Sequence, residues 1–266
     1  MPAYFWHSAA LSLRGGRENN EDNYYLDGTW LPEGGEDGSP RALGMRPKGL
    51  LAVFDGMGGE QAGEYASFTA ARLLHEHRSA LLSCRDLEDF RPAVGGYIRQ
   101  VNEDLRRRGR ELGATVSSAM ALLLLRGQEA LIANLGDCRV YRLREGKTEV
   151  LTRDHTLASF LLRRGDLSPE QARTDKRRHA LMRHLGSDQG EDSLQPGLRR
   201  LELEAGDRFL LCSDGVWDGL TETELSRLLG KGKPAAAAEA LTEASSGAGS
   251  RDNLTALVAQ VQMRLF

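Results

Sequence analysis

The chain has 266 residues, 40% of them hydrophobic and 27% charged, and a net charge of −3 at pH 7. This length suits one large domain, and the apolar share is enough for a sizeable core, which argues against general disorder. The small net charge gives no reason to expect binding to nucleic acid or to membranes. No stretch reaches the roughly 18 apolar residues of a membrane span, and residues 1–13 lack the features of a signal peptide, so we predict a cytoplasmic protein.

Residue patterns in the first half of the chain predict strands and then two helices. The predicted elements are strands at 4–13, 24–27 and 50–54 and helices at 61–82 and 86–109. Residues 28–49 are rich in Gly, Pro and charge, and we interpret them as a surface loop or a long hairpin connection. The second helix is expected to break or bend near Pro92 and Gly95-Gly96.

The second half predicts strands at 115–125, 130–135, 138–143, 198–203, 208–212 and 254–261, and helices at 156–165, 168–172, 221–229 and 234–245. Gly136-Asp137 suits a two-residue hairpin turn between its flanking strands. A helix is expected to start at Pro169, with Ser168 as its N-cap and Gln171 at its third position. Because helices separate the early from the late strands, we predict an α+β fold with mainly antiparallel sheets.

The three cysteines, Cys84, Cys138 and Cys212, are odd in number and far apart. Two of them lie in apolar runs that resemble strands. We therefore predict buried, reduced thiols rather than disulfides or a zinc site.

Four acidic dipeptides are spread over almost the whole chain, namely Glu21-Asp22, Asp55-Gly56, Asp214-Gly215 and Asp252-Asn253. Two of them follow apolar runs of strand length. A carboxylate at the end of a buried strand is costly unless a positive charge meets it. Several such carboxylates brought together favour a divalent cation, and their hard oxygen atoms suit Mg²⁺, Mn²⁺ or Ca²⁺.

Six motifs that include these dipeptides occur in one order along the chain. They lie at residues 17–23, 54–59, 113–115, 134–139, 213–218 and 250–254. Together they closely resemble the metal-dependent type 2C (PPM) Ser/Thr protein phosphatases in their bacterial form. The resemblance covers nearly the whole chain, and the segments at 151–156 and 181–186 extend it.

The resemblance implies a single catalytic domain over residues 1–266, folded as a four-layer αββα sandwich of two mainly antiparallel sheets flanked by helices. It implies a flap subdomain at about 155–190, beside a cleft that holds two Mn²⁺ or Mg²⁺ ions. Asp55 would bridge both ions, and Glu21 would bind one of them. The resemblance implies that the carbonyl of Gly56 is a further ligand and that Asp214 and Asp252 bind the other ion. Asp137, together with Asp214, would bind a third and weaker ion. Asp22, Asp218 and Asn253 would lie beside these ligands without binding an ion.

This arrangement suits the hydrolysis of phosphoserine and phosphothreonine in proteins. Two cations about 3.5–4 Å apart can share a water, lower its pKa and aim it at the phosphorus atom. Arg17 lies four residues before Glu21 and is expected to bind the phosphate with its planar fork of donors. Arg17 and Asp55 are thus the predicted catalytic residues.

Taken singly, several of these residues have simpler interpretations. Asp137 and Asp252 are also typical of turns or helix caps, Asp218 of a helix start, and Arg17 of a solvated surface charge. Their joint occurrence in the family's order favours the metal centre.

Some positions depart from the family pattern. Many eukaryotic relatives carry a histidine directly after the Asp-Gly pair, where this chain has Met57, so no general acid is evident. His155 fits the family pattern and is expected to have a structural hydrogen-bonding role. Glu60 stands where bacterial relatives often have histidine, and it suits a helix start rather than a metal ligand.

The segment at 159–183 carries more basic than acidic residues, which could steer phosphopeptides or could simply form a solvated face. The expected partners are phosphorylated proteins and a cognate bacterial Ser/Thr kinase. No sequence feature calls for assembly, so we expect the protein to be a monomer. Two alternatives stay open: a phosphatase for small esters or phosphotyrosine, and an inactive module that binds a partner.

Overall fold

The computed structural model of the protein describes residues 3–58 and 62–264. The strands are β1 (Ala3–Leu13), β2 (Asp22–Leu26), β3 (Arg41–Arg46), β4 (Lys48–Gly58), β5 (Val116–Arg126), β6 (Glu129–Leu135), β7 (Arg139–Arg144), β8 (Lys147–Val150), β9 (Gly197–Glu202), β10 (Arg208–Cys212) and β11 (Leu254–Arg264). The helices are α1 (Ala62–Ser83), α2 (Leu87–Leu112), α3 (Leu157–Arg164), α4 (Pro169–Thr174), α5 (Asp214–Trp217), α6 (Glu222–Leu229) and α7 (Pro234–Gly247).

The strands form two sheets in which every described pairing is antiparallel. One sheet has the order β3-β1-β11-β10-β7-β8, and the other has the order β2-β4-β5-β6-β9. Buried apolar side chains between the two sheets include Trp6, Val53 and Leu123. A second apolar layer joins α1 and α2 to the outer face of the five-stranded sheet, and a third joins α6 and α7 to the other sheet. The predicted four-layer αββα sandwich is therefore confirmed.

Three local predictions need correction. Gly136-Asp137 is not a hairpin turn, because β6 and β7 belong to different sheets and this dipeptide carries the chain across from one to the other. The stretch at 28–49 does form the long connection between the antiparallel partners β2 and β4, but it also contains the strand β3, which pairs with β1. Helix α2 runs without interruption through Pro92, because buried side chains on either side, such as Phe90 and Val94, hold it against the sheet.

Other local predictions were confirmed. Ser168 accepts a hydrogen bond from the Gln171 N–H and forms the expected capping box of α4. Cys84, Cys138 and Cys212 are buried and free. Among the described helices, none combines the length and the hydropathy that crossing a bilayer requires.

Candidate metal centre

Five distant segments bring acidic side chains to one end of the two sheets. Asp55 lies near the end of β4, and Asp137 follows β6. Asp214 is the first residue of α5, directly after β10, while Asp252 stands just before β11. Glu21 stands just before β2, whose first residue pairs with Asp55 in the sheet register. The sequence predicted all of these residues, and the fold brings them to one cleft.

Backbone contacts fix Glu21 beside β4 and the loop before β11. The Gly56 N–H donates to the Glu21 carbonyl at 3.0 Å, and the Glu21 N–H donates to Asn253 Oδ1 at 2.9 Å. A Cβ at Gly56 would lie 2.0 Å from the Gly63 carbonyl oxygen, so this position admits only glycine. Asn253 also donates to the carbonyls of Arg14 and Asn19, both at 2.8 Å. Asn253 therefore joins the segment before β11 to the segment that carries Glu21.

Asp22 is buried and turns away from solvent toward the six-stranded sheet. Ser213 Oγ donates to Asp22 Oδ2 at 2.6 Å, and the Thr255 N–H donates to Ser213 Oγ at 3.2 Å. Burial is the main cause that raises the pKa of Asp22 to about 7. The side chain therefore supports the cleft from behind, next to the predicted ligands.

The carboxylates of the cleft lack enough positive charge to balance them. Burial, followed by repulsion from Asp214 and Asp22, raises the pKa of Asp55 well above its ordinary value. Burial and repulsion from Asp214 raise the pKa of Asp137 to about 8. Burial also raises the pKa of Glu21. Each shift shows that the ionised form is destabilised where it stands, as expected for carboxylates built to face a cation.

Asp137, Asp214 and His179 form a close group, with potential ligand atoms within 4.8 Å of one another. His179 Nδ1 lies 3.1 Å from Asp214 Oδ2, and the imidazole stacks on Trp217 with ring centroids 6.2 Å apart. The contact with Asp214 raises the pKa of His179. Sequence reasoning missed His179, because it lies in a flap segment without a motif of its own.

Arg17 reaches the cleft from the loop after β1. Its Nη2 donates to Asp252 Oδ2 at 2.9 Å, and its side chain remains 56% exposed. The guanidinium thus stands at the solvent edge of the acidic group, with donors left over for an anion. This placement agrees with the predicted role in binding a phosphate.

A partly buried cation joins α5 to Asp154, which directly precedes the flap, defined here as residues 155–190. Arg139 Nε and Nη2 donate to the two oxygens of Asp154 at 3.0 and 2.6 Å. The same guanidinium lies 3.4 Å from the centre of the Trp217 ring. Trp217 Nε1 in turn donates to the Asp137 carbonyl at 3.2 Å. The ligand-bearing turn at Asp137 is therefore tied to the flap through one stacked arginine.

Asp218 ends α5 rather than starting a helix, which corrects the simpler interpretation of this residue. It pairs with Arg178 of the flap through both of its oxygens, each at 2.8 Å. His179 Nε2 lies 3.8 Å from the same carboxylate. Asp218 therefore sits beside the predicted ligands, as expected, and contacts the flap.

His155 has the structural position predicted for it. The ring Nδ1 of His155 accepts a hydrogen bond from the Gly136 N–H at 3.2 Å, and the backbone N–H of His155 donates to the Gly136 carbonyl at 2.9 Å. Burial and the nearby Arg183 and Arg163 lower the pKa of His155 to about 4, so the ring is neutral near pH 7. Met57 follows the Asp-Gly pair on β4, while Glu60 lies outside the described residues.

The donor set fits a divalent cation. The buried carboxylate of Asp137 and the partly buried carboxylates of Asp55, Glu21 and Asp214 supply hard ligands in excess of the positive charges that contact them. Such ligands suit Mn²⁺ and Mg²⁺. A bound cation would also offset the repulsion that raises these pKa values.

Known proteins resemble this chain in sequence and in fold. Residues 15–159 match the family model Protein phosphatase 2C, and the chain belongs to that family. It is 33% identical over 220 residues to the serine/threonine phosphatase stp of Listeria monocytogenes, covering 79% of this chain and 84% of that protein.

A further relative, PstP, matches almost the whole chain in sequence and in structure. This chain is 31% identical over 264 residues to the serine/threonine protein phosphatase PstP of Mycobacterium tuberculosis. The aligned region covers 95% of this chain but only 44% of PstP. The chain therefore spans less than half the length of that relative. The catalytic domain of PstP, solved with two manganese ions, superposes with a TM-score of 0.77 at 29% identity over 98% of this chain and 100% of that one.

Proposed function

We propose that this chain is a metal-dependent phosphatase that hydrolyses phosphoserine and phosphothreonine in proteins at a centre of two Mn²⁺ or Mg²⁺ ions. The observation that carries the proposal is the convergence of Glu21, Asp55, Asp137, Asp214 and Asp252 from distant segments onto one cleft. The names of the relatives and the two manganese ions of the PstP structure support it.

Each side chain has a distinct part in this proposal. Asp55 would hold both ions, with Glu21 and the Gly56 carbonyl on one side and Asp214 and Asp252 on the other. When bound, the ions supply positive charge that activates water and stabilises the phosphoryl oxygens. Arg17 would bind and orient the phosphate, since its exposed guanidinium stands beside Asp252. Asp22 and Asn253 would keep the ligands in place through the hydrogen bonds described above.

We propose further that Asp137, together with Asp214, holds a third and weaker ion, and that the flap borders the substrate cleft. The physiological substrates would be targets of a cognate Ser/Thr kinase. A cytoplasmic monomer is the form in which we expect the protein to act.

The test is hydrolysis of a chromogenic phosphate monoester and of a phosphothreonine peptide, each with Mn²⁺, with Mg²⁺ and with EDTA. Activity should require the metal, and Asp55→Asn should reduce kcat by more than about a thousandfold because the bridging carboxylate is lost. A folded wild-type protein without turnover on either substrate would instead favour an inactive binding module. Turnover of the ester but not of the peptide would favour a small-molecule phosphatase.

A further inference from the structure

A second cavity lies between the flap, residues 150–153 and the strands β6 and β9. It has a volume of about 950 Å³. Four arginines line it, Arg153, Arg163, Arg183 and Arg199, and among its described lining residues there is neither Asp nor Glu. We call this cavity the basic pocket. So strong an excess of positive charge is unusual in a chain whose net charge is −3.

The arginines of the basic pocket differ in their partners from other arginines of the flap. Arg164, Arg177 and Arg178 each pair with an acidic side chain, Asp166, Asp175 and Asp218 respectively. The arginines of the basic pocket are largely free to bind an anion. Arg163 donates to Ser159 Oγ and Arg183 to the Gln195 carbonyl, both neutral groups, while Arg199 shares Glu149 with Arg142.

The floor and the mouth of the basic pocket are apolar. Ile132 and Leu198 lie beneath it, and Val150 and Met182 stand at its edge, 37% and 39% exposed. These two are half of the four large hydrophobic side chains that are exposed within residues 3–58 and 62–264. Exposed apolar surface rimmed by charge is typical of a site that binds a partner.

The basic pocket lies close to the metal centre. His179 faces the cleft with Asp214, and Arg183, four residues later, faces the basic pocket. Four residues of extended chain span at most about 14 Å. The Arg183 carbonyl also lies 3.8 Å from where a Cβ of Gly136 would stand, next to Asp137. A peptide bound in the cleft would therefore reach the basic pocket within a few residues of its phosphorylated side chain.

We propose that the basic pocket binds an acidic segment of the phosphoprotein substrate and so selects phosphorylation sites that are flanked by acidic residues. This inference rests on the proposed phosphatase function. The guanidinium groups would pair with carboxylate or phosphate groups of the segment, and the apolar floor would take a neighbouring hydrophobic side chain. The volume suits several side chains rather than a single ion.

The experiment compares three phosphothreonine peptides: one with neutral flanks, one with three glutamates before the phosphothreonine and one with three glutamates after it. The chromogenic monoester, which is too small to reach the basic pocket, is the fourth substrate. The variant is Arg153→Gln with Arg163→Gln, neither of which has an acidic partner among the described residues. The matched control is Arg164→Gln with Arg173→Gln, which removes the same charge from the flap outside the basic pocket.

We expect the wild type to prefer at least one acidic peptide by roughly fivefold in kcat/KM at low salt. The Arg153/Arg163 variant should lose this preference through a higher KM, with kcat and ester hydrolysis unchanged, and the control should keep it. Equal turnover of all three peptides by the wild type would overturn the inference but leave the phosphatase intact. An equal loss in the control, or a parallel loss on the ester, would also overturn it. If the wild type hydrolyses the ester but none of the peptides, the inference would be overturned, and so would the proposal that the substrates are phosphoproteins.

Discussion

The metal cleft and the flap lie against each other, but different interactions hold them. In the cleft, Asp137 is buried, Asp55 is partly buried and both lack balancing charge, while the hydrogen bond from Glu21 to Asn253 fixes the neighbouring backbone. The flap contains two short helices, α3 and α4, in which Ala158 is the one buried residue. Its surface ion pairs include those of Arg164, Arg177 and Arg178. The metal cleft is therefore a rigid site with an excess of negative charge, whereas the adjacent flap can move at low energetic cost.

The largest effect should come from Arg139, where the two regions join. Replacing it by methionine (Arg139→Met) leaves Asp154 without its partner and removes the stacking on Trp217, so we expect a loss of about 3–5 kcal/mol in the free energy of unfolding. Urea denaturation measures this loss. Arg142→Met, on the same strand but paired with the more exposed Glu149, is the control and should cost less than about 1 kcal/mol. Similar losses in both variants would show that Arg139 has no special anchoring role.

The cleft should make the metal-free protein sensitive to pH. Asp22 and Asp137 have pKa values of about 7 and about 8 in the folded state, above those of the unfolded chain. The folded state therefore holds more protons between about pH 4 and pH 8, and stability should fall as the pH rises through this range. Thermal denaturation in EDTA tests this.

Two controls sharpen the pH experiment. Asp22→Asn should flatten the dependence, since it removes one of the titrating groups without removing a predicted ligand. Mn²⁺ should also flatten it, by favouring the ionised ligands. Stability that rises with pH over the same range in EDTA would contradict this account of the cleft.

A smaller effect is expected from Asp137→Ala. Because Asp137 is proposed to bind only the third ion and neither of the two main ions, the variant should fold and keep two ions. It should need about tenfold more metal for half-maximal activity. Titration calorimetry gives the stoichiometry and activity gives the metal requirement. Asp166→Ala, an exposed flap residue, should change neither quantity. Loss of both remaining ions would refute the assignment of Asp137.

The smallest effect concerns the flap. Arg178→Gln removes its pairing with Asp218, and amide hydrogen exchange across α3 and α4 should accelerate by up to about fivefold, as for a surface ion pair. Arg177→Gln removes a pair within the flap and should leave the exchange of α3 unchanged. Exchange in α3 that is as slow in Arg178→Gln as in the wild type would mean that other contacts hold the flap.

The sequence predicted the cleft well because its information is local. Apolar runs before Asp55 and Asp214 give buried strands, and Gly56 stands where the chain passes too close to Gly63 for any side chain. The αββα layers followed from the resemblance. The strand β3 was missed because its side chains are largely exposed and show no apolar alternation.

Other features depend on tertiary contacts that no local pattern encodes. Gly136-Asp137 has the composition of a hairpin turn, yet the next strand pairs in the other sheet. Helix α2 keeps Pro92 because its apolar face is held by packing. His179 could not be assigned, since its position beside Asp214 depends on how the flap folds back over α5.

The long pairing of β1 with β11 has a practical consequence for engineering. Leu13 pairs with Leu254 near the metal cleft, and Ala3 pairs with Arg264 ten residues further along. At the usual rise per residue, this second pair lies about 33 Å from the cleft end of the ribbon. Residues 3 and 264 are neighbours there, so a fluorophore attached at that end of the ribbon would stay clear of the reaction.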